Sequence, residues 1–450
     1  NNQGRNITFR GTFSYGDNDS EQFSESLTRY FDDNAKKEDD ERKQYTTSPT
    51  KNYDYTAELT YSEPIARATF LQFRYKFQYK YSESDRSTYS LIPDADKGQD
   101  WFWNFGDGLP VGYEENKDRD LSKYAQYKYY NHDINAGLNI IREKYRLNFG
   151  VSLQPQNTRL DYKKAEVDTV VKRNVFNFAP NVDFRYRFSK VSQLRFTYRG
   201  RASQPSMENL LDVTDDSNPL NIRMGNPSLK PSYTNTFNLN YNTYNVKHQR
   251  NMVLQLTAEN TLNSVTNQVT YDSETGGRTT IPVNMNGNWQ TQGSFSLSTP
   301  FKNKHWLIRT YSMLRYSNKN GYTTLNKEEP QKSSVRHLTA RERLTLTYRT
   351  EQFEVGVRGS VLYNNSYNNV RSIRTKTFDY QTGMNVQWYF PLGFELYSDA
   401  VWNLRAGYGT DEGNDYLMWN MQISKSFFKR KQLLLRFKIY DILQQENALM

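Results

Sequence analysis

Hydrophobic and polar residues alternate along most of this chain with a period of two. The clearest example is the run Thr69–Tyr81, TFLQFRYKFQYKY, whose odd positions are almost all aromatic or aliphatic. Its even positions from Gln72 to Lys80 are polar or basic. Only a β-strand presents such a period, because successive side chains point to opposite faces. Strands of soluble proteins average about 5–6 residues. A longer strand with cations on one face and aromatic rings on the other predicts the wall of a membrane barrel, with lipid outside and water inside.

The alternation recurs almost to the end of the chain and predicts an all-β, antiparallel, up-and-down transmembrane β-barrel. About seventeen strands are visible, centred near residues 7–15, 53–62, 69–81, 123–141, 145–156, 174–188, 193–200, 233–242, 251–262, 283–299, 306–316, 335–348, 352–364, 375–390, 394–405, 415–427 and 432–440. Short connections alternate with long ones, which cover residues 16–52, 82–121, 156–173, 201–232 and 317–334. This alternation is typical of bacterial outer-membrane barrels, whose short turns lie in the periplasm and whose long loops lie outside the cell.

The composition excludes several other classes of protein. The 450 residues have a mean hydropathy of −0.92, yet they include 35 Tyr and 25 Phe, which a disordered chain would lack. The chain has no apolar run of about 20 residues, which a membrane helix would require. It has no Cys, so neither a disulfide framework nor a Cys-based zinc site is available. A barrel reconciles low hydropathy with many aromatic residues, because only alternate side chains meet lipid.

The net charge of +10 is spread along the strands rather than gathered on one loop or helix. A nucleic-acid footprint is usually clustered, so we predict that the basic residues line a wet lumen and contact anionic lipid headgroups, with no nucleic-acid partner. Cations on the lumen side favour anionic solutes. The residues predicted to face the lumen are Arg74, Lys76, Arg185, Arg187 and Arg195.

One segment, residues 201–232, interrupts the alternation. It is rich in Pro, Asn, Asp and Ser, which is typical of a loop with several fixed turns. Its leucines give it apolar surface to bury, so we predict an ordered extracellular loop folded over or into the barrel. Within it, Gly225-Asn226 is a turn that can take positive φ. The residues that define the motif are Gln204, Pro205, Pro219, Leu220, Gly225, Asn226, Pro227, Leu229 and Pro231.

The same segment carries a family resemblance. The stretch GNPSLKPSYTNTFNL, in which the loop leads into the next strand, resembles the most recognisable barrel motif of the TonB-dependent outer-membrane receptor family, in the form common among Bacteroidetes. TYSEPI (Thr60–Ile65) and FKIYDILQQ (Phe437–Gln445) are also similar to family patterns. The resemblance covers essentially the whole chain and implies the outer membrane of a Gram-negative bacterium.

The resemblance also implies parts that we expect to lie outside this chain. The family has a barrel of about 22 strands and an N-terminal plug domain, through which a TonB-type energising complex acts. If the last predicted strand is the twenty-first, the first is the fifth. Residues 1–450 are then expected to form a partial barrel domain, without the first four strands, the plug and the last strand.

An aromatic cluster lies in a predicted outer loop, within DWFWNFGDGLPVGY (Asp100–Tyr113). Such rings can stack on a sugar, a haem or a siderophore, or contact a partner lipoprotein. The alternative is packing of the loop on itself. The cluster consists of Trp101, Phe102, Trp103 and Phe105.

Other chemistry is sparse in this sequence. The acidic run Phe31–Lys43 is interrupted by cations and matches no calcium-binding spacing, so we interpret it as a solvated loop. The four His residues form no metal-binding motif, and no nucleophile–base set or phosphate-binding loop is recognisable. We therefore predict no enzymatic activity, no cofactor and no metal site.

The leading functional hypothesis is a TonB-dependent receptor that takes up a bulky, scarce solute such as an iron complex, haem, cobalamin or a glycan. One alternative is a structural or assembly barrel that acts as a platform for surface lipoproteins, and another is a passive porin. A soluble pair of β-sandwiches would have shorter strands than those predicted for this chain.

Overall fold

The computed structural model describes residues 4–29, 40–211, 214–215, 218, 220–272, 276–324, 329–409, 415–428 and 432–445. These residues are almost entirely β-structure. The strands are β1 (Asn6–Asn18), β2 (Glu21–Thr28), β3 (Asp40–Thr47), β4 (Thr50–Ala66), β5 (Thr69–Ser90), β6 (Lys117–Ile141), β7 (Tyr145–Lys164), β8 (Val167–Ser189), β9 (Ser192–Ser203), β10 (Thr214–Asp215), β11 (Asn221–Met224), β12 (Ser232–Asn245), β13 (Arg250–Leu262), β14 (Ser264–Tyr271), β15 (Arg278–Met285), β16 (Asn288–Pro300), β17 (Trp306–Thr323), β18 (Gln331–Arg349), β19 (Phe353–Asn368), β20 (Ile373–Phe390), β21 (Phe394–Ala406), β22 (Asp415–Phe427) and β23 (Leu433–Ile439).

Short 3-10 helices occupy Ala95–Lys97, Tyr113–Asn116, Glu208–Leu210 and Pro391–Gly393. Within the described ranges, the chain has no helix with the length and apolar character needed to span a membrane.

Nineteen of the strands form one antiparallel sheet. Seventeen of them follow one another as a continuous wall, in which β1 pairs with β4, β9 pairs with β12 and β13 pairs with β16. The hairpin of β2 and β3 extends this wall, because Gln44–Thr47 pair with Ser87–Ser90 at the far end of β5. Each predicted strand overlaps one wall strand, and all neighbours are antiparallel. The expected all-β, up-and-down architecture is therefore confirmed.

Most of the predicted long loops are wrong in extent, because the strands continue beyond the aromatic band. β5 runs on to Ser90, and β7 and β8 meet at a tight turn in which Ala165 has a φ of 48°. The predicted strand at residues 283–299 is also interrupted, at Asn286 and Gly287, and its first residues belong to β15. Hydrogen-bonded strand pairing continues beyond the residues that show hydrophobic alternation, because both faces of a strand can be polar outside the lipid.

A second, four-stranded sheet has the order β10-β11-β15-β14. It joins the predicted loop to the β14–β15 hairpin, and β11 runs parallel to β15. Beside it lies a buried apolar cluster that ties the loop to β7. The cluster contains Leu160, Tyr162, Met207, Leu210, Leu211 and Leu229.

Candidate functional site

Two large polar cavities lie against one face of the wall, here called the lumenal face. The first, of about 990 Å³, is lined by β4 to β9 and by Gln204 at the start of the loop. The second, of about 1150 Å³, is lined by residues of β7, β8, β9, β12 and β13. Arg199 and Arg201 line both cavities. The opposite face is apolar and exposed, with Phe73 and Tyr75 of β5 as examples.

The structure brings four of the five predicted basic residues to these cavities. Arg74 and Lys76 line the first cavity, and Arg185 and Arg195 line the second. Arg187 lies on the same face of β8 as Arg185, but it lines neither cavity, because it is two residues closer to the short turn after Ser189.

Two of these cations are held by carboxylates. Arg74 Nη2 lies 3.3 Å from Asp133 Oδ2, an oxygen that also accepts a hydrogen bond from Gln154 Nε2. Arg195 binds Asp183 with two hydrogen bonds, from Nε to Oδ1 at 3.1 Å and from Nη2 to Oδ2 at 2.5 Å. These pairs leave little net charge at either position.

Lys80, in the first cavity, likewise lies 3.4 Å from Asp54 Oδ2, whereas four other lumenal cations have no such partner among the described residues. In the described part of the chain, no carboxylate oxygen lies within 4.0 Å of the side-chain nitrogens of Lys76, Arg185, Arg199 or Arg201. Arg185 is directly opposite Arg146 on one side and Arg195 on the other. Like charges directly opposite one another destabilise a sheet. The row of Arg146, Arg185 and Arg195 therefore carries more positive charge than the Asp183 carboxylate at Arg195 can neutralise.

Sequence reasoning missed Arg199 and Arg201 as site residues. Arg201 was assigned to the predicted loop, but β9 continues to Ser203. The signal that identifies both arginines is the alternation itself, since they share odd positions with Arg195 and Thr197.

The loop motif begins at the edge of the first cavity, where Gln204 contributes to the lining. Leu229 is buried in the cluster with Leu160 and Tyr162, which share a strand face with the lumenal residues of β7. Pro205 is buried and Leu220 is 39% exposed, whereas Pro219 lies outside the described residues. Asn226, Pro227 and Pro231 follow in the turn that leads to β12.

The structure does not use the positive φ that glycine permits at position 225. Gly225 is absent from the glycines with positive φ, but a Cβ there would lie 1.7 Å from the carbonyl oxygen of Leu211. The position needs glycine because two backbone segments approach closely.

Asparagine side chains attach the loop to the neighbouring hairpin. Asn226 Nδ2 donates to the carbonyl of Pro282 at 2.9 Å. Asn284 Oδ1 accepts from the amide of Lys230 at 2.7 Å, and its Nδ2 donates back to the carbonyl of Lys230 at 2.9 Å. Asn284 thus replaces a backbone bridge, a role that no sequence pattern indicated.

Gln204 has the least satisfied side chain in this region. It lines the first cavity, and both its Oε1 and its Nε2 are buried without a hydrogen-bond partner. Buried amides are nearly always hydrogen-bonded in native proteins. The position is therefore available to a ligand or water that enters the cavity.

The predicted aromatic cluster divides into two parts. Trp103 is 1% exposed and packs with Tyr45 and Leu91, so it belongs to the core of an outer subdomain built on β2, β3 and β5. Trp101 packs against that core. Phe102 and Phe105 are 75% and 66% exposed. These two rings are the most exposed of the four and the best placed to contact another molecule.

In the described ranges, no group of three His, Asp or Glu side chains is arranged to hold a metal ion. His132 instead lies 2.7 Å from the hydroxyl of Tyr75 through its Nδ1. Most of the acidic run Phe31–Lys43 lies outside the described residues.

Comparison with solved structures finds matches at low sequence identity. The copper transporter OprC is 8% identical with a TM-score of 0.42, over 98% of this chain and 77% of that one. The ferric-catecholate import receptor Fiu from K12 E. coli is 12% identical with a TM-score of 0.45, over 88% of this chain. BauA, the ferric preacinetobactin receptor of Acinetobacter baumannii, is 10% identical with a TM-score of 0.46, over 91% of this chain. The chain spans 57% of Fiu and 58% of BauA.

No curated protein matches the chain in sequence. The sequence model described as "Outer membrane protein beta-barrel family" matches residues 1–449. With its antiparallel wall, its lumenal cavities and a family match of this length, the chain belongs to the outer membrane protein beta-barrel family and resides in the outer membrane of a Gram-negative bacterium.

Proposed function

We propose that this chain is the barrel of a TonB-dependent receptor that takes up a bulky, scarce and anionic solute. The observation that carries the proposal is the charge of the lumenal face. Seven cations and four carboxylates line the two cavities. Arg199 and Arg201, which belong to both cavities, have no carboxylate partner within 4.0 Å among the described residues.

This charge arrangement favours passage of anions. A cleft lined by one sign of charge, with walls of low dielectric constant, concentrates the field and raises the local concentration of the opposite ion. The row of Arg146, Arg185 and Arg195 extends the positive potential toward the short turns, with Asp183 as its counter-charge at Arg195. An anionic solute would therefore meet arginines along the wall from one cavity to the next.

The loop supplies a second contact for the solute. Gln204 presents an unpartnered amide to the first cavity, where a ligand can complete its hydrogen bonds. Iron complexes, haem and cobalamin derivatives that carry carboxylates or other acidic groups fit this combination better than neutral glycans. A plug domain in the same protein and a TonB-type energising complex are part of the proposal, which the resemblance around Gly225–Leu229 supports.

The test uses intact cells that express the full-length protein as their only copy. Uptake of a panel of iron complexes, haem, cobalamin and glycans is measured with and without the gene. For the solute that is lost, we expect Arg199→Glu with Arg201→Glu to lower uptake on the order of tenfold or more, because two attractive charges become repulsive. Arg199→Lys with Arg201→Lys should retain most of the uptake.

The matched control is Lys172→Glu with Lys332→Glu. It makes the same change of charge on exposed side chains of the face opposite the lumen. Normal uptake of every solute in cells without the gene, or equal uptake by the lumenal and control variants, would contradict the proposal.

A platform for a surface lipoprotein is the second candidate, because Phe102 and Phe105 expose two aromatic rings on the outer subdomain. If this is correct, a lipoprotein co-purifies with the full-length protein and is lost in Phe102→Ala with Phe105→Ala, while solute uptake does not depend on the gene. Loss of uptake without any co-purified partner would favour the receptor instead.

A further inference from the structure

A small cavity lies at the short-turn end of the wall, on its lipid-facing side. It has a volume of about 310 Å³ and lies between the turn that joins β12 to β13 and the turn that joins β16 to β17. We call it the rim pocket. Its lining residues are Lys247, His248, Arg250, Thr299, Pro300, Phe301, Lys302 and Lys304.

The rim pocket is strongly basic and has no internal counter-charge. It contains four permanent cations and a histidine, whereas the chain has no Asp or Glu in residues 242–258 or 288–327. Within the described ranges, no carboxylate oxygen lies within 4.0 Å of any of these lysines or of Arg250. Arg250 Nε instead donates to Thr299 Oγ1 at 3.4 Å, which directs its side chain along the wall.

The position of the rim pocket relates it to lipid rather than to the lumen. Arg250 shares a strand face with Leu254 and Leu256, the face opposite the polar residues of the second cavity. Thr299 likewise shares a face with Phe295 and Leu297 of β16. The cations therefore lie at the short-turn edge of a continuous apolar surface. A lipid bound here would place its headgroup against the cations and its acyl chains against the apolar surface.

Aromatic and aliphatic side chains mark this level as a membrane interface. Val246 and Phe301 are 66% and 50% exposed beside the cations. Trp306, which follows the second turn, packs against Tyr348 with ring centroids 4.9 Å apart. Girdles of aromatic residues lie at the two interfaces of outer-membrane barrels, and short turns lie on the periplasmic side.

We infer that the rim pocket binds the phosphate of an anionic glycerophospholipid in the periplasmic leaflet. The phosphate would lie between Lys302, Lys304 and Arg250, and the acyl chains would lie along the apolar face above them. Lysine and arginine donate charge-assisted hydrogen bonds to phosphate oxygens, and basic residues near an anionic leaflet add to membrane binding. Inorganic phosphate shares this headgroup chemistry but lacks the acyl chains.

The test uses the full-length protein in nanodiscs that contain equal amounts of phosphatidylglycerol and phosphatidylcholine. Lipids retained after release are counted by native mass spectrometry. We expect the wild type to retain phosphatidylglycerol preferentially, and Lys302→Gln with Lys304→Gln to lower this retention on the order of tenfold. The matched control, Lys144→Gln with Lys190→Gln, removes two cations from other short turns and should retain the lipid. Heat-modifiable mobility on gels shows that each variant has folded.

Two results would overturn the inference. One is equal retention of the two lipids by the wild type, and the other is equal loss of phosphatidylglycerol in the pocket and control variants. Inorganic phosphate, compared with chloride at the same ionic strength, distinguishes the two sources of phosphate. We expect it to leave the lipid bound, and displacement by inorganic phosphate would show that the pocket serves a soluble anion instead.

Discussion

Gly225 and Leu211 are in direct backbone contact within the loop that begins at Gln204, at the edge of the first lumenal cavity. A Cβ at position 225 would lie 1.7 Å from the carbonyl oxygen of Leu211 and 3.2 Å from that of Glu208. Backbone atoms cannot rotate away as a flexible side chain can, so the loop must open to admit even a methyl group. We therefore expect Gly225→Ala to destabilise the loop by about 1–3 kcal/mol, the usual cost of overpacking.

The measurement is hydrogen exchange of the full-length protein in detergent. Amides of residues 207–211 and 226–229 should exchange faster in Gly225→Ala, while β18 and β19 keep wild-type protection. Gly108→Ala is the control, because a Cβ at that position, in another outer loop, would meet no heavy atom of a non-neighbouring residue within 4 Å. Unchanged exchange in Gly225→Ala would contradict the prediction that the close contact between Gly225 and Leu211 stabilises the loop.

Asn284 provides a second prediction at the same loop. Its side chain satisfies both the amide and the carbonyl of Lys230 and also donates to the carbonyl of Asn263 at 2.8 Å. Asn284→Ala leaves these backbone groups without partners, at a cost of about 1–3 kcal/mol. We expect faster exchange at Lys230 and more rapid proteolysis of residues 226–231.

The control for Asn284 is Asn267→Ala, at an exposed position of the same hairpin. It should leave both readouts at wild-type values. Equal effects of the two substitutions would mean that the hairpin as a whole, rather than the amide bridge, holds the loop.

The wall of this protein was predictable because lipid imposes a one-sided pattern on each strand. Thr69–Tyr81 shows the pattern at its clearest, and every predicted strand overlaps a wall strand. Beyond Gln156 of β7 the pattern inverts rather than ends. Leu160 and Tyr162 pack inside against the loop, while Arg159 and Asp161 face outward. A rule that expects apolar residues outside therefore assigns this extension to a loop.

The candidate site was less predictable, for a different reason. Alternation places Arg74 and Arg185 on the lumenal face, but it cannot show that Asp133 pairs with the first, whereas no carboxylate of the described residues pairs with the second. Such pairing depends on register between strands that are distant in sequence. The burial of Trp103, next to the exposed Phe102, depends likewise on the β2–β3 hairpin that the sequence pattern left unassigned.

Trp103 and Phe102 should respond differently to truncation. Trp103 is 1% exposed, so Trp103→Ala leaves a large cavity and should cost about 3–5 kcal/mol in the outer subdomain. Phe102 is 75% exposed, and its ring contacts Lys43, whose Nζ lies 4.9 Å from the ring centroid. Phe102→Ala should therefore cost about 1 kcal/mol or less.

Limited proteolysis of the folded protein distinguishes these two substitutions. We expect residues 91–116 to be cleaved rapidly in Trp103→Ala and at the wild-type rate in Phe102→Ala. Rapid cleavage in both variants, or in neither, would contradict the division of this aromatic cluster into a buried part and an exposed part.

Tyr45 gives the outer subdomain a predicted response to alkaline pH. Burial, together with the Glu21 carboxylate, raises the pKa of its phenol to about 12. Burial also raises the pKa of Tyr113, whose ring packs edge-on against Tyr45 with centroids 5.6 Å apart. Both rings therefore favour their neutral form in the folded subdomain.

A tyrosine whose folded pKa is raised adds stability that is complete below the unfolded pKa of about 10 and is lost as the pH rises through the folded value. We expect the proteolytic resistance of residues 91–116 to fall between pH 10 and about 12, with resistance unchanged between pH 7 and about 9.

Tyr45→Phe keeps the ring that packs against Phe23 but has no phenol to ionise, so it should lose less resistance over that pH range. Tyr271→Phe, at a tyrosine that is 43% exposed, should follow the wild-type profile. Identical profiles for Tyr45→Phe and the wild type would show that ionisation of Tyr45 does not open the subdomain.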